Sequence, residues 1–238
     1  TAEVIAAGLA SGARVIVPGN VYVYGTQPAP WGPDTPHRPV SRKGAIRAAM
    51  ENSYRNAARA QGLRVLILRG GDFLDARAES TMFNQLMLRS FAAGKITVGG
   101  AADAMHAWAP LQDMARAAVA LADHPNLPDF ADVPFAGLSF TPNDLKAELE
   151  RQTGRRLRFA RFPWWAMRLA APFWELAREL GEMRYLYDAP HWLNPKPLQS
   201  LLPGFQGTSL ADVVAETLAA KGVAARTTGY SASVPVAD

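Results

Sequence analysis

A chain of 238 residues, 49% apolar and 19% charged, has room for one large domain, or one and a half, with a sizeable core. Its 25 basic and 21 acidic residues leave a net charge of +4 spread along the sequence, without the block or stripe of a nucleic-acid surface, so no nucleic acid is expected as a partner. There is no cysteine, which excludes disulfides and thiolate metal sites, and no stretch of about 20 uncharged apolar residues, so no membrane span and no membrane partner are expected.

The first residues lack a basic n-region, and a reducing cytoplasm is the expected compartment. Residues 2–11 read as the last turns of a helix already packed on a sheet, stopped at Gly12, so Thr1 is expected to be an interior point of a domain. Arg14-Val15-Ile16-Val17 is a β-branched run of the kind buried in a parallel sheet. It breaks at Pro18-Gly19 into Asn20-Val21-Tyr22-Val23-Tyr24-Gly25 and a proline-rich loop. From Lys43 a helix is expected to about Ala60, with Ile46, Met50, Tyr54, Ala57, Ala58 and Gln61 near one stripe and Gly62 as its stop. Arg64–Arg69 is a second buried-type strand, followed by Gly70-Gly71-Asp72-Phe73. This rhythm of helix, glycine, strand and glycine-rich loop belongs to a doubly wound sheet, whose ligands sit at the carboxyl ends of the strands.

Beyond Asp75 the pattern changes. Ser80 is placed to cap a helix with Phe83, Leu86, Met87 and Phe91 inward, and Ile96-Thr97-Val98 is a short strand. Residues 111–123 form a helix with Met114, Ala118, Val119 and Leu121 inward. Thr141-Pro142-Asn143-Asp144 carries an N-cap, a proline at the first helical position and an acid at the third, starting a helix that runs to Thr153. Residues 157–160 alternate like a strand. A long aromatic-rich helix, kinked at Pro172, is expected from about Pro163 to Leu180, with Arg178-Glu179 and Arg184 on a solvated, salt-paired face. Ser209 caps a helix through Ala220, and residues 223–238, small and polar without period, are expected to be disordered.

Val23-Tyr24-Gly25, Lys43 at a helix head, Arg69-Gly70-Gly71-Asp72-Phe73, and the run from Trp108 to Ala115 with Asp113 in it resemble the extended short-chain dehydrogenase/reductases, the NAD-dependent epimerases and dehydratases. The resemblance implies an α/β fold: the C-terminal part of a doubly wound Rossmann-type parallel sheet with a smaller, mostly helical substrate domain. On that plan residues 1–74 are a partial NAD(P)-binding domain, and residues 75–222 a substrate-binding region with some returning Rossmann elements. It further implies NAD or NADP as cofactor, with Lys43 on the nicotinamide ribose and Gly71, Asp72 and Phe73 flanking the nicotinamide. The substrate would be a small molecule, a nucleotide sugar or similar carbonyl or hydroxyl compound, with His106 and Trp108 lining its cleft; a homodimer is left open.

Two positions depart from the family pattern. Asn20 stands where the family has a serine, and Pro39 where it has the tyrosine that passes the proton. Asn20 can still donate a hydrogen bond to a substrate oxygen. If the chain stays extended, Asn20, Tyr22 and Tyr24 share one face, making Tyr22 or Tyr24 a substitute acid; simple aromatic packing is the competing reading. Lys43 is either functional or a solvated lysine opposing its helix dipole. No G-x-x-G-x-x-G loop for a pyrophosphate is found; on the family plan the first mononucleotide-binding half is absent before Thr1, so these residues either belong to a longer parent or form a fragment that cannot grip a dinucleotide. His37, His106, His124 and His191 lack metal-ligand spacing, so no metal is expected. Trp108 is alternatively core; Trp164, Trp165, Phe173 and Trp174 of the kinked helix read as core or an interface, and a clustered exposed patch of them would mark a binding site. Two rival functions stand beside the enzyme: a non-catalytic sensor or partner module on the same scaffold, and an inactive fragment with an uncovered edge on the 14–17 strand.

Overall fold

The computed structural model describes residues 1–223. Helix α1 (Ala2–Ser11) ends on Gly12 in the left-handed region and leads into strand β1 (Val15–Gly19). Helix α2 (Arg42–Gln61) is capped by Ser41, whose hydroxyl accepts from the Gly44 amide at 3.0 Å, and it also ends on a left-handed glycine, Gly62. Strand β2 (Val65–Arg69) is buried along its whole length. It lies between β1 and β6 (Phe130–Pro134) in a parallel sheet, with β1 at an edge left unpaired among the described strands.

Sequence patterning did not reveal the strands of the second sheet. There β3 (Asp72–Leu74) runs parallel to β5 (His106–Pro110), and β5 antiparallel to β7 (Leu138–Phe140). Gly71 is required at the entry to β3, because a Cβ there would lie 2.1 Å from the Ala107 carbonyl oxygen. A third pair joins β4 (Lys95–Val98) to β8 (Arg158–Arg161). The main core gathers Phe83, Phe91, Ile96, Trp108, Phe140 and Leu145 between these sheets and helices α4 (Pro142–Thr153) and α9 (Leu210–Ala220). The expected capping box of α4 is present, Thr141 and Asp144 each bonding the other's backbone amide.

Several expectations are corrected. Residues 83–93 form a π turn and a 3₁₀ turn, Leu88 N–H bonding the Phe83 carbonyl, although Phe83, Leu86, Met87 and Phe91 all face the core as read. On α2, Ile46 is exposed because it lines a cleft rather than the core, Gln61 is exposed on the last turn, and Glu51 is fully buried. On α3 (Leu111–Ala122), Val119 points outward, opposite the stripe of Met114, Ala117 and Leu121. The long kinked helix is two helices, α5 (Trp164–Ala170) and α6 (Glu175–Glu182). Pro172, which has no N–H, and the extended Trp174 break it rather than bend it. Short helices α7 (Tyr185–Asp188) and α8 (Lys196–Leu201) follow. The tail reading falls, beyond Val223, outside the described residues.

Candidate functional site

Beyond the carboxyl end of β1 the chain does not stay extended. Asn20 Oδ1 accepts from the Tyr22 amide at 3.1 Å and turns the backbone into a 3₁₀ turn over Tyr22–Tyr24. The period of two is lost, and the expectation that Asn20, Tyr22 and Tyr24 share a face is corrected. Tyr24 is buried, its hydroxyl donating to the Gly32 carbonyl at 3.1 Å and its ring lying under the Arg69 guanidinium. Burial drives its pKa up, and it does not reach a cleft. Tyr22 does, and burial, with the nearby Asp72 carboxylate, pushes its phenol up to about 12.

The floor beneath this turn is built on Arg69, the last residue of β2. Its guanidinium forms a fork with Glu51 at 2.7 and 3.1 Å, a second pair with Asp132 at 2.7 Å, and donates to the Asn20 carbonyl at 2.6 Å. Burial alone would lower its pKa; the Asp132 and Glu51 carboxylates outweigh that and raise it. His37 Nε2 lies 3.6 Å from Glu51. His37, Glu51 and Asp132 present ligand atoms within 4.8 Å of one another, a spacing that admits a cation. Arg69 already supplies the counter-charge to both carboxylates, so the donor set reads as an ion-pair network and not a metal centre.

Lys43 stands on the first turn of α2 and reaches across to α6. Its ammonium bonds the Glu179 carboxylate and lies 3.7 Å from Glu182, while Glu182 Oε1 accepts from the Lys43 amide at 3.1 Å. Carboxylates at a helix N-terminus are favourable, so Glu182 serves both the dipole and the lysine. This corrects the reading of Glu179 as part of a solvated face: Arg178 pairs with Glu175 and Arg184 with Asp188, which frees Glu179 to turn inward. Pro39, in the tyrosine position, packs against the same turn; a Cβ on Gly44 would lie 2.9 Å from it and 2.5 Å from the Tyr22 carbonyl oxygen.

Tyr22, Lys43, Ile46, Arg47, Asp72 and Tyr187 line one cleft of about 470 Å³, closed on its far side by Leu176, Glu179, Leu180 and Met183. A smaller cleft of about 200 Å³ opens over the strand ends, lined by Asn20, Gly71, Asp72 and Phe73, and shares Tyr22, Arg47 and Asp72 with the first. Lys43 and Arg47, one turn apart, present two cations to this wall, and Arg47 has no carboxylate partner among the described residues. The arrangement thus brings together Asn20, Tyr22, Lys43, Gly71, Asp72 and Phe73. It excludes Tyr24, and it also withdraws His106 and Trp108. Both lie on the buried central strand β5 and line only a void of about 30 Å³, the size of one water. Trp108 stacks on Phe140 at 5.2 Å, while His106 Nε2 bonds Asp72 Oδ2 at 2.9 Å from behind.

Sequence reasoning missed Arg47, Glu51, Glu179, Glu182, Tyr187 and His191. A polar residue at a core position of an amphipathic helix was the available signal for Glu51; nothing local announces the others. His191 stacks on Trp31 at 4.9 Å and lies 4.3 Å from His106, and burial, followed by the His106 charge, pushes it down to about 3.

Parallel strands with a cleft at their carboxyl ends define an α/β protein of the doubly wound, Rossmann-like kind. The chain belongs to the NAD dependent epimerase/dehydratase family, whose model matches residues 1–131. Solved structures are similar in fold. A UDP-galactose 4-epimerase matches with TM-score 0.67 and 17% identity, over 92% of this chain and 67% of its own. The UDP-glucuronic acid 4-epimerase of Bacillus cereus in complex with NAD gives 0.67 and 17%, over 88% and 61%. The L-threonine dehydrogenase of Phytophthora infestans gives 0.71 and 16%, over 93% and 69%. The chain thus spans about three fifths to two thirds of the length of these relatives. No match is found among curated proteins.

Proposed function

We propose that this chain forms the nicotinamide- and substrate-facing part of an NAD(P)-dependent epimerase/dehydratase-type oxidoreductase acting on a nucleotide sugar or a similar carbonyl or hydroxyl compound. The observation that carries this reading is the convergence of Tyr22, Lys43, Arg47 and Asp72 on one cleft above the strand ends. The residues present suit the nicotinamide ribose half of the cofactor. Phe73 offers a 40% exposed ring beside Asn20, whose side-chain NH₂ has no partner among the described residues. No glycine-rich pyrophosphate loop occurs in the 238 residues, so the adenosine half has no matching cradle here. The bound nicotinamide would supply hydride transfer.

The chain's own residues handle position and proton. Asn20 donates to the substrate oxygen, Lys43 addresses the ribose hydroxyls, and Arg47 offers a charge to a phosphate. With Pro39 unable to carry a proton, Tyr22 remains protonated across the neutral range and donates, and Asp72, oriented by His106, accepts. Saturable quenching of NADH or NADPH fluorescence is expected. Because only the nicotinamide half is gripped, reduced nicotinamide mononucleotide should bind within about tenfold of NADH. No saturable binding of any of the three would overturn the cofactor assignment. Pro39 favours a second reading, a sensor that binds without turnover. Turnover of a nucleotide sugar that disappears in Lys43→Ala would exclude it.

A further inference from the structure

The α5–α6 hairpin buries almost none of its residues. No residue of α5 is buried, and of α6 only Ala177 is. Its apolar side chains face water at the turn: Phe173 is 94% exposed, Leu169 70%, Trp165 68%, and Leu176 and Trp174 about half. These five fall within twelve consecutive residues, an apolar patch that single soluble domains rarely leave open. The hairpin is nonetheless fixed at its base. Trp164 Nε1 donates to the Gly99 carbonyl at 2.5 Å, and the Arg184 guanidinium lies over the Trp164 ring.

Charge identifies what the tip faces. The three acids of the hairpin are engaged, Glu175 by Arg178 and Glu179 and Glu182 by Lys43, while the strand leading into it and its first helix bring Arg158, Arg161 and Arg168. Arg161 and Arg168 have no carboxylate partner among the described residues. Between the two helices lies a cleft of about 370 Å³ walled by Trp164, Trp165 and Met167, with Arg168, Arg178 and Arg184 also lining it. Exposed tryptophan and phenylalanine flanked by arginine is the chemistry of a lipid interface, where rings sit at headgroup level and guanidinium groups meet phosphates. A second copy of the chain would set these arginines against each other.

We propose that the α5–α6 hairpin docks this chain on the surface of an anionic phospholipid bilayer, its aromatic tip in the interface and its arginines among the headgroup phosphates. No helix among the described residues is long and apolar enough to cross a membrane. Lying on a bilayer is a separate matter, and the sequence-based expectation of no membrane partner, which rested on the lack of a span, is revised accordingly.

Flotation of the 238-residue chain with vesicles tests this. The protein should float with mixed phosphatidylglycerol and phosphatidylcholine vesicles, not with phosphatidylcholine alone, and tryptophan emission should shift to the blue. The double variant Trp165→Ser, Phe173→Ser should lose at least about tenfold in affinity, and Arg161→Gln or Arg168→Gln about fivefold each, with melting midpoints unchanged because all four side chains are exposed. Failure to float on the anionic vesicles, equal flotation on the neutral ones, or full retention by the double variant would overturn the proposal. So would a solution dimer that Phe173→Ser dissociates, since the patch would then belong to a second copy.

Discussion

Two cations in this molecule each sit between two carboxylates, and solvent makes them different devices. Arg69, Glu51 and Asp132 are 0%, 0% and 6% exposed, whereas Lys43, Glu179 and Glu182 are 35%, 32% and 22% exposed. Both triads sum to one negative charge. In the buried one every charge depends on its neighbours, because water cannot replace a lost partner. It ties β2, α2 and β6 to the Asn20 turn and fixes the floor of the cleft. In the half-exposed one water screens the attraction and can substitute for it, so Lys43 can leave its glutamates for a ligand.

The most severe way to break this contrast is at Glu51. Glu51→Ala leaves Arg69 facing Asp132 alone with an unfilled fork, and should cost about 3–5 kcal/mol of unfolding free energy. Urea denaturation measures it. A loss below about 1 kcal/mol would mean that the two triads are energetically alike.

The buried region should also announce itself through pH. His191 is held neutral when folded, with a pKa of about 3 against an ordinary value of 6.5. Between those values the unfolded chain binds a proton that the folded chain refuses, so stability must fall as pH drops through this window. One such group gives a slope of at most about 1.4 kcal/mol per pH unit. Burial shifts His37 in the same direction, against the pull of Glu51. In His191→Gln the slope near pH 5 should shrink by about one proton, read from urea midpoints across that range. An unchanged slope would place the acid sensitivity elsewhere.

At the other triad the expected stability effect is small. Lys43→Met should shift the unfolding free energy by about 1 kcal/mol or less, while removing nicotinamide binding. A large destabilisation with binding intact would make Lys43 a structural residue and remove it from the proposed site.

What could be read ahead of the structure follows the range of the forces involved. Strands β1 and β2, the glycine stops at Gly12 and Gly62, and the Thr141–Asp144 cap are set by neighbours within four residues, and the sequence patterns gave them. The short strands β3, β5 and β7 owe their pairing to partners tens of residues away; His106–Pro110, buried on both faces, carries no alternation to find. Asn20 illustrates the same limit at the site. Its Asx turn, a local hydrogen bond, replaced the extended geometry assumed for Tyr22 and Tyr24 and sent one tyrosine to the cleft and the other to the core. The partners of Lys43 and Arg69 lie 136 and 63 residues distant, and only the folded chain brings them together.

The finest discrimination between the triads lies in ligand affinity. The Glu179 carboxylate holds the Lys43 ammonium and lines the cleft into which a phosphate-bearing nicotinamide compound would come. Glu179→Gln keeps the side chain's size and withdraws one negative charge from that wall. It frees the lysine and removes a repulsion, so reduced nicotinamide mononucleotide should bind about two- to fivefold more tightly, a gain below about 1 kcal/mol at an exposed site. The gain should fade as salt rises, because charges this accessible are screened over about 8 Å at physiological ionic strength. Weaker binding in Glu179→Gln would mean that the carboxylate itself receives the ligand, through the ribose hydroxyls, with Lys43 serving to orient the acid. The half-exposed triad would then be a preorganised site like its buried counterpart, and the distinction drawn from solvent access would hold for stability alone.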